Sequence, residues 1–390
     1  MVKTEPANPD MQEIKEGNIH DYDDYLDFFN CKPVYQDYKS AYHSITFVSA
    51  GIIPYSGGIV TMLRLGTLLS KQGYDVYYQS SVPQSVEDMR TDAEFNFPGY
   101  RGTCIPLESF SQHSSDIWIA TFWETTYLIK NRRGYKMYLV QDYEPYFYPF
   151  GDRSELAKRT YQFGLHMISL GPWCAKMIRQ NCHVNSQLDE INFPVDVESY
   201  HIKSRDFSEY PKKKELNLAV YTRFATPRRA PISVQMVLKN TERLLARKDI
   251  KLNINYYGTS QNEEFINGHN LGRLNKRGLE KLYHESDFGI APSMTNLSLV
   301  PFEMMSSGLP YIDFNEGSGS DFMPANYCWR INFDEYELAN ILLQASEQPE
   351  ELEEKTVQAK EYLEKMTWKK TFSDFYTIIK HINNKESLEN

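Results

Sequence analysis

Short apolar runs alternate with helical apolar periods in the first half of the chain. The segment SITFVSA (44–50) is apolar and rich in β-branched residues, which is typical of a buried strand. A glycine-rich loop, GIIPYSGG, follows it, and residues 59–73 then carry apolar side chains at helical spacing and end at Gly73. The segment DVYYQSS (75–81) predicts the next strand. The pattern therefore predicts a strand–loop–helix–strand unit.

The same alternation continues along the rest of the chain. We interpret as further strands the apolar runs DIWIAT (116–121), KMYLVQD (136–142), HMISLG (166–171), LNLAVYTRF (216–224), KLNINYYG (251–258), DFGIAPS (287–293) and LPYIDF (309–314). Helical patterns lie at 154–164, 172–181, about 231–247, 277–285 and 301–307, and residues 350–382 are mainly helical. Alternating strands and helices predict parallel sheets that are covered by helices on both faces.

A charged stretch without an apolar period, at about 197–214, separates the two halves and indicates a connection between domains. We therefore predict two doubly wound, Rossmann-like α/β domains of similar size, at 44–200 and 201–365, facing a cleft that is the default ligand site. An N-terminal extension (1–43) precedes them. We expect a C-terminal helix (366–390) to pack back on the first domain.

Composition excludes some classes of function. The 390-residue chain has 41% hydrophobic and 24% charged residues and a net charge of −10, which argues against a nucleic-acid partner. It contains no apolar run long enough to span a membrane, and its polar, acidic beginning lacks the features of a signal peptide. Five scattered cysteines fit a reducing compartment. We expect a cytoplasmic protein, with contact to the inner face of the membrane left open.

Three arginines follow a strand of the second half. Arg223 ends the strand, and Arg228 and Arg229 follow in a loop with Pro227. Guanidinium groups at a strand-to-helix junction can bind a phosphate bidentately, although a solvated basic loop is the alternative. Lys276 could add a second cation, or it could be an ordinary surface lysine. Weaker signals come from the ends of other segments in this half, namely Gly258, Gly272 and Arg273.

The segment TNLSLVPFEMMSSGLP (295–310) places one carboxylate, Glu303, in the first turn of an otherwise apolar helix. Pro301 is suited to that turn, and the free N–H groups before the helix could bind an anion. Glu303 could favour the helix dipole only, or it could accept a hydrogen bond from a ligand hydroxyl. A carboxylate does not bind phosphate, so the second role requires a sugar beside the phosphates. The pattern therefore favours a nucleotide sugar.

These residues resemble retaining glycosyltransferases of the GT-B fold, in the large family four. Arg223 matches the arginine of that family, Arg228 stands where its lysine is expected, and Glu303 with SSGLP matches the second acid and the ending of its acid-x7-acid motif. Thr295 stands where the first acid is expected. In the first half, YSGG (Gly57 and Gly58) and INFPVDVESY resemble further family segments. The segments YLVQDYEPYFYPFGD and SLGPWCAKMIRQN resemble the rhamnan-type rhamnosyltransferases.

The narrower resemblance implies dTDP-β-L-rhamnose as donor, a growing rhamnose chain of the S-layer glycan type as acceptor, linkage of that chain to a lipid, and retention of configuration. It further implies that Glu303 binds the pentose and that Arg223 with Arg228, helped by Lys276, neutralises the leaving diphosphate. The diphosphate and the donor sugar would be contacted at Asn296, Leu297, Ser298 and Leu299. The role of Thr295 in orienting the transferred sugar is open.

The acceptor is expected on the first domain. After a strand, QDYEPYFYP combines aromatic rings with hydrogen-bonding groups, which suits a sugar chain, although a loop of packed tyrosines is the alternative. The acceptor-side residues are therefore Gly57, Gly58, Gln141, Asp142, Tyr143 and Glu144.

We expect no cofactor and no metal, because no Asp-x-Asp lies at a suitable strand end. Two rival functions stay open at this point, a nucleotide-sugar 2-epimerase of the same double fold and a catalytically silent glycan-binding protein.

Overall fold

A computed structural model describes residues 34–195, 205–323 and 325–384. Contacts between residues divide this part of the chain into two units. The first unit comprises residues 34–193 and 368–384, and the second comprises the described residues from 194 to 367. Residues 1–33 of the predicted N-terminal extension and residues 197–204 of the predicted charged connection lie outside the described residues.

The strands of the first unit form one parallel sheet. They are β1 (Ser44–Ser49), β2 (Asp75–Ser80), β3 (Thr103–Ile105), β4 (Ile117–Ala120), β5 (Tyr135–Val140), β6 (His166–Leu170) and β7 (Leu188–Ile191). Their order across the sheet is β3-β2-β1-β4-β5-β6-β7. The helices between them are α1 (Gly57–Lys71), α2 (Val86–Asn96), α3 (Trp123–Ile129), α4 (Asp152–Arg159) and α5 (Pro172–Asn181). Every side chain from Ile45 to Ser49 is buried, as expected for a strand covered on both faces.

The second unit repeats this architecture. Its strands are β8 (Glu215–Tyr221), β9 (Lys251–Tyr257), β10 (His269–Asn270), β11 (Phe288–Ile290), β12 (Tyr311–Phe314) and β13 (Trp329–Ile331). All are parallel, in the order β10-β9-β8-β11-β12-β13. Its helices are α6 (Pro231–Ala246), α7 (Lys276–Glu285), α8 (Val300–Ser306), α9 (Gly319–Phe322), α10 (Glu335–Glu347) and α11 (Pro349–Leu363).

The core of the second unit lies between this sheet and its helices. Strand β8 pairs with β9 along its whole length, from Glu215 opposite Lys251 to Tyr221 opposite Tyr257, and with β11 on its other side. Leu218, Val220 and Phe288 are buried on these central strands. Burying one such side chain stabilises the fold by roughly 1.5–3 kcal/mol.

Strand order reverses at one place in each sheet. In the first unit the chain moves from β1 outwards to β2 and β3 and then returns to β4 on the other side of β1. In the second unit it moves from β8 to β9 and β10 and then returns to β11. The loops that leave two such adjacent strands diverge, and open α/β sheets bind ligands in the crevice between them. The prediction of two doubly wound α/β domains is confirmed.

The last helix of the chain, α12 (Trp368–Asn384), belongs to the first unit. The Thr371 hydroxyl donates to the Asn192 carbonyl oxygen at 3.1 Å, and the guanidinium of Arg64 lies 4.6 Å from the centre of the Trp368 ring. The division between the units falls after Phe193 and after Thr367, near the predicted boundaries at 200 and 365. No helix in the described part of the chain is long and apolar enough to cross a membrane.

Candidate functional site

Two loops meet at the carboxyl edge of the second sheet. We call residues 222–230, which follow β8, the arginine loop, and residues 291–299, which follow β11, the β11 loop. The Met294 N–H donates to the Arg228 carbonyl oxygen at 2.8 Å, so the two loops are joined directly at the point where the strand order reverses. The segment that contains Arg223 and Arg228 therefore lies beside the segment that leads to Glu303.

The arginine loop has a defined conformation. A 3-10 turn spans Pro227–Arg229, and Ala230 adopts left-handed backbone (φ 47°, ψ 46°) before Pro231 begins α6. The Thr222 hydroxyl, which is buried, donates to the Arg229 carbonyl oxygen at 2.9 Å and closes the loop from inside. Left-handed backbone is unfavourable for a residue with a Cβ, so this turn is held by its surroundings.

The three arginines differ in exposure. Arg223 and Arg228 are half-buried at the edge, whereas Arg229 is only 8% exposed. Arg229 points towards β12: burial raises the pKa of Tyr311 well above its ordinary value, and the positive charge of Arg229 partly offsets that shift. Arg223 and Arg228 therefore remain the predicted phosphate ligands, while Arg229 contributes its charge from within the unit.

The β11 loop curls around Ser293. The Ser293 hydroxyl lies 2.7 Å from the Asn296 carbonyl oxygen, to which it donates, and 3.2 Å from that of Thr295. Thr295, Asn296 and Leu297 are buried. Ser298 and Leu299 are half-buried and lead into α8.

Glu303 differs from its neighbours on α8. Its N–H donates to the Leu299 carbonyl oxygen at 3.0 Å, in the first turn of the helix. The other residues from Pro301 to Ser306 are buried, whereas Glu303 is half-buried. Gly308, with φ of 74°, ends the helix as predicted. The one acid of this helix thus reaches the surface at the same edge as the arginine loop.

The ends of β9 and of the segment before α7 are also tied together. The Gly258 N–H donates to the Gly272 carbonyl oxygen at 2.9 Å. Gly258 has φ of 103°, and a Cβ there would come 2.5 Å from the Tyr221 ring, so glycine is required. Arg273 and Lys276 are exposed near the first turn of α7. The structure therefore brings the two predicted glycines together and places both predicted cations at the surface.

A third loop, which we did not identify from the sequence, supports the β11 loop. It follows β12, and its Ser318 N–H donates to the Ser293 carbonyl oxygen at 3.1 Å. An added Cβ on Gly317 would overlap that same oxygen. The segment GSGS (317–320) was the available sequence signal, because small residues often mark close approach of two backbones.

A buried carboxyl, Asp313, lies beneath this third loop. Gly319 packs so closely against it that a Cβ there would overlap Oδ2, and no donor among the described residues reaches that oxygen. Burial raises the pKa of Asp313 to about 6, although the Phe314 N–H and the charge of Arg330 act in the opposite direction. Arg330 also donates to the Gly319 carbonyl oxygen at 3.2 Å. Asp313 and Arg330 therefore support the third loop from beneath, at Gly319.

In the first unit the structure brings Gly58 and Gln141 together. A Cβ on Gly58 would lie 3.1 Å from Oε1 of Gln141, whereas nothing would come within 4 Å of one on Gly57. The Ser56 hydroxyl accepts from the Ile59 N–H at 3.4 Å and caps α1. The start of α1 is therefore an open backbone surface next to an amide side chain.

Three other predicted acceptor-side residues are buried. Asp142 accepts from the Tyr143 N–H at 2.8 Å, and the Tyr143 ring stacks on Tyr161 with centroids 5.6 Å apart. Glu144 accepts from the Trp123 N–H at 2.6 Å, and burial raises its pKa well above the ordinary value. In this conformation the Tyr143 ring and the Glu144 carboxyl organise the interior of the first unit. Their contact with an acceptor stays a prediction.

Comparisons with known proteins establish the fold. No family model matches the chain, and no curated protein matches it. Among solved structures, sucrose-phosphate synthase from Thermosynechococcus elongatus is 13% identical, with a TM-score of 0.67 over 87% of this chain and 99% of that one. Anabaena HepE in complex with UDP-glucose is 14% identical, with a TM-score of 0.65 over 88% of this chain and 99% of that one. WaaG, a glycosyltransferase involved in lipopolysaccharide biosynthesis, is 12% identical, with a TM-score of 0.61 over 86% and 99%.

These identities are low, and the likeness is one of fold. It extends over nearly the full length of each of these structures. The chain has the GT-B fold, as predicted.

Proposed function

We propose that this protein is a glycosyltransferase that moves a hexosyl group from a nucleotide sugar to a glycan. The observation that carries the proposal is the hydrogen bond between Met294 N–H and the Arg228 carbonyl oxygen, because it holds the arginine loop against the segment that ends in Glu303. Under this proposal, the cations that bind the diphosphate and the acceptor for a pentose hydroxyl belong to one edge of one sheet. The structure of HepE with UDP-glucose, on the same fold, supports a nucleotide sugar as donor.

For the donor we propose dTDP-β-L-rhamnose, and for the acceptor a growing rhamnose-containing glycan of the S-layer type. The support is the resemblance of YLVQDYEPYFYPFGD and SLGPWCAKMIRQN to rhamnan-type rhamnosyltransferases. A deoxyribose has no 2′-hydroxyl, so Glu303 would accept a hydrogen bond from the 3′-hydroxyl.

The proposed reaction proceeds with retention. The bond between the sugar C1 and the diphosphate oxygen breaks, and its electron pair goes to the leaving diphosphate. An acceptor hydroxyl attacks C1 from the same face, and its proton passes to the leaving phosphate oxygen. The protein must stabilise the negative charge that develops, and preorganised cations do this electrostatically. Arg223, Arg228 and Lys276 would supply that charge, and we expect no metal to be required.

A panel of nucleotides tests the proposal. We expect dTDP to raise the melting temperature more than UDP or GDP, and we expect NMR analysis of the products from dTDP-β-L-rhamnose and a rhamnose oligosaccharide to show a β-rhamnosyl product. Stabilisation by UDP or GDP in place of dTDP would overturn the donor assignment. Release of dTDP without an acceptor, together with an altered free sugar, would identify a 2-epimerase. Binding of glycan without any turnover would identify a silent glycan-binding protein.

A further inference from the structure

An exposed apolar surface lies at the carboxyl ends of β1 and β2 in the first unit. We call it the aromatic platform, and it consists of Ile53, Tyr55, Val82 and Phe95. These side chains are 54%, 53%, 38% and 53% exposed. The rings of Tyr55 and Phe95 meet edge to face with centroids 4.8 Å apart. Several large apolar side chains are therefore presented to solvent together, although large apolar side chains are commonly buried.

The loop that carries the platform is held by side-chain hydrogen bonds. Asn96 donates to the Ile53 carbonyl oxygen at 2.8 Å and accepts from the Ser56 N–H at 3.3 Å. Gln84 accepts from the Ile52 N–H at 2.9 Å and donates to the Ile52 carbonyl oxygen at 2.7 Å. Because both ends of the loop are fixed and Phe95 lies on α2, the rings of Tyr55 and Phe95 are positioned before any ligand binds, which lowers the entropic cost of binding.

Tyr55 has left-handed backbone, with φ of 59°. This conformation costs roughly 1–3 kcal/mol for a residue other than glycine, and such strain concentrates at ligand-binding positions. Here it places the exposed ring beside Phe95. Glycine or asparagine would adopt this backbone more easily, so we attribute the presence of a tyrosine at this position to a role of its ring.

The platform is continuous with the point where the strand order of the first sheet reverses. Tyr55 directly precedes Ser56, which caps α1, and the next residues are the open Gly57 and then Gly58, which lies against the Gln141 amide. A ligand that covers the rings of the platform would therefore extend over bare backbone towards an amide group. Open α/β sheets place ligands at this edge.

The charge around the platform favours a neutral, hydroxyl-bearing ligand. Helix α2, which carries Phe95, has four carboxylates (Glu87, Asp88, Asp92 and Glu94) and one cation, Arg90. An anionic membrane surface would be repelled by this helix. Carboxylates accept hydrogen bonds from sugar hydroxyls, and the C–H face of a sugar ring is attracted to the negative face of an aromatic ring.

We propose that the aromatic platform is a subsite for a neutral oligosaccharide, whose sugar rings lie on Phe95 and Tyr55. The proposal rests on the proposed function, in which such an oligosaccharide is the acceptor. It adds a place on the first unit that the segment QDYEPYFYP did not indicate.

The test measures binding of a rhamnose tetrasaccharide by saturation-transfer NMR, without turnover. Phe95→Ser removes one ring from an exposed helix position. Tyr55→Asn removes the other ring and introduces asparagine, which tolerates left-handed backbone. The matched control is Tyr336→Ser, since Tyr336 is also an exposed ring, at 62%, but lies on α10 of the second unit. We expect each platform variant to raise the dissociation constant roughly tenfold and the control to leave it unchanged.

Separate readouts distinguish the platform from the proposed function. If dTDP stabilises the protein and Phe95→Ser leaves tetrasaccharide binding unchanged, the platform proposal is wrong and the proposed function stands. The same conclusion follows if the wild type binds dTDP but no tetrasaccharide. Loss of binding to phosphatidylglycerol vesicles in Phe95→Ser, with tetrasaccharide binding intact, would assign the platform to a membrane. If no nucleotide binds, the proposed function fails, and tetrasaccharide binding still decides whether the platform recognises sugars.

Discussion

The two units share the order of their first six strands, and the first unit adds a seventh strand, β7, but the edges at which their strand order reverses are built differently. At the edge of the second unit, the arginine loop, the β11 loop and the loop after β12 are hydrogen-bonded to one another through Arg228, Ser293 and Ser318. At the edge of the first unit, the start of α1 is open backbone at Gly57, flanked by the amide of Gln141 and by exposed rings. One edge is closely tied and carries guanidinium groups, and the other presents neutral groups.

Under the proposed function, this difference would let one fold accommodate two kinds of ligand. Backbone topology determines where a site lies, and the loop side chains determine its chemistry. Negative charge on a leaving diphosphate requires fixed cations, which the second edge has. A neutral sugar chain requires flat apolar faces and hydrogen-bonding groups, which the first edge has. The predictions below test this contrast.

The largest expected effect is on catalysis and belongs to the second edge. Arg228→Ala should lower kcat roughly a hundred- to a thousandfold, because it removes a preorganised charge from the leaving diphosphate. The control is Arg247→Ala, since Arg247 is exposed just beyond the far end of α6. Steady-state kinetics with dTDP-β-L-rhamnose measures both variants. An equal kcat in Arg228→Ala and the wild type would contradict a catalytic role for the charge of Arg228 at the second edge.

The buried carboxyl beneath the second edge should make stability depend on pH. Burial raises the pKa of Asp313 from 3.8 to about 6 in the folded protein. A raised pKa means that folding favours the neutral carboxyl. The stability that the neutral carboxyl contributes is therefore fully present below about pH 4 and is lost as the pH rises through 6. From 6 − 3.8 = 2.2 pKa units, ionisation costs at most ~3 kcal/mol of unfolding free energy at neutral pH.

Asp313→Asn removes this ionisation and keeps the shape of the side chain. In urea unfolding curves, we expect the stability advantage of the variant over the wild type to grow as the pH rises from about 4 to about 6 and to level off above that. A stability difference that does not change with pH would show that Asp313 stays in one charge state throughout.

The close approach of two loops at the second edge should tolerate no added methyl group. Gly317→Ala would overlap the Ser293 carbonyl oxygen, so we expect a loss of roughly 1–3 kcal/mol in unfolding free energy and weaker nucleotide binding. Gly278→Ala in α7 is the matched control, because its Cβ would meet only ordinary contacts at 3.4 Å or more, and alanine favours a helix. If both variants are equally stable, the loops are not held as tightly as the geometry indicates.

The sequence predicted the fold better than it predicted the site. Strands such as β1 and β5 are buried on both faces and so appear as continuous apolar runs, which the periodicity detects. We missed β3, β7, β10 and β13, which have only two to four residues each and carry too little apolar pattern to be recognised. These short strands form because they pair with neighbouring strands that are distant in the sequence, and such tertiary contacts leave no local pattern.

Within the candidate site, the sequence offered predictions for positions next to strand ends, which stay predictions, and it offered none for positions held by neighbouring strands. Arg223 and Glu303 were identified because each lies close after a strand or at the start of a helix. Ser318 reaches the β11 loop, and Asp313 lies beneath the loop that carries Ser318, only because β12 pairs with β11, which no local pattern encodes. The inward direction of Tyr143 and Glu144 was equally hidden, since a loop has no periodicity that reveals which side chains point to the core.

The smallest expected effect compares one carboxyl from each unit. Glu303→Gln should weaken dTDP binding roughly tenfold, because a neutral amide replaces a charged acceptor for the pentose hydroxyl. Glu144→Gln should leave dTDP binding unchanged, since burial raises the pKa of Glu144 well above its ordinary value and its carboxyl is hydrogen-bonded to the Trp123 N–H within the first unit. Isothermal titration with dTDP measures both, and thermal unfolding checks that each variant is folded. Equal weakening in the two variants would contradict the assignment of the nucleotide to the second edge. An effect confined to Glu303→Gln would show that dTDP binding depends on a carboxyl of the second unit and not on one of the first.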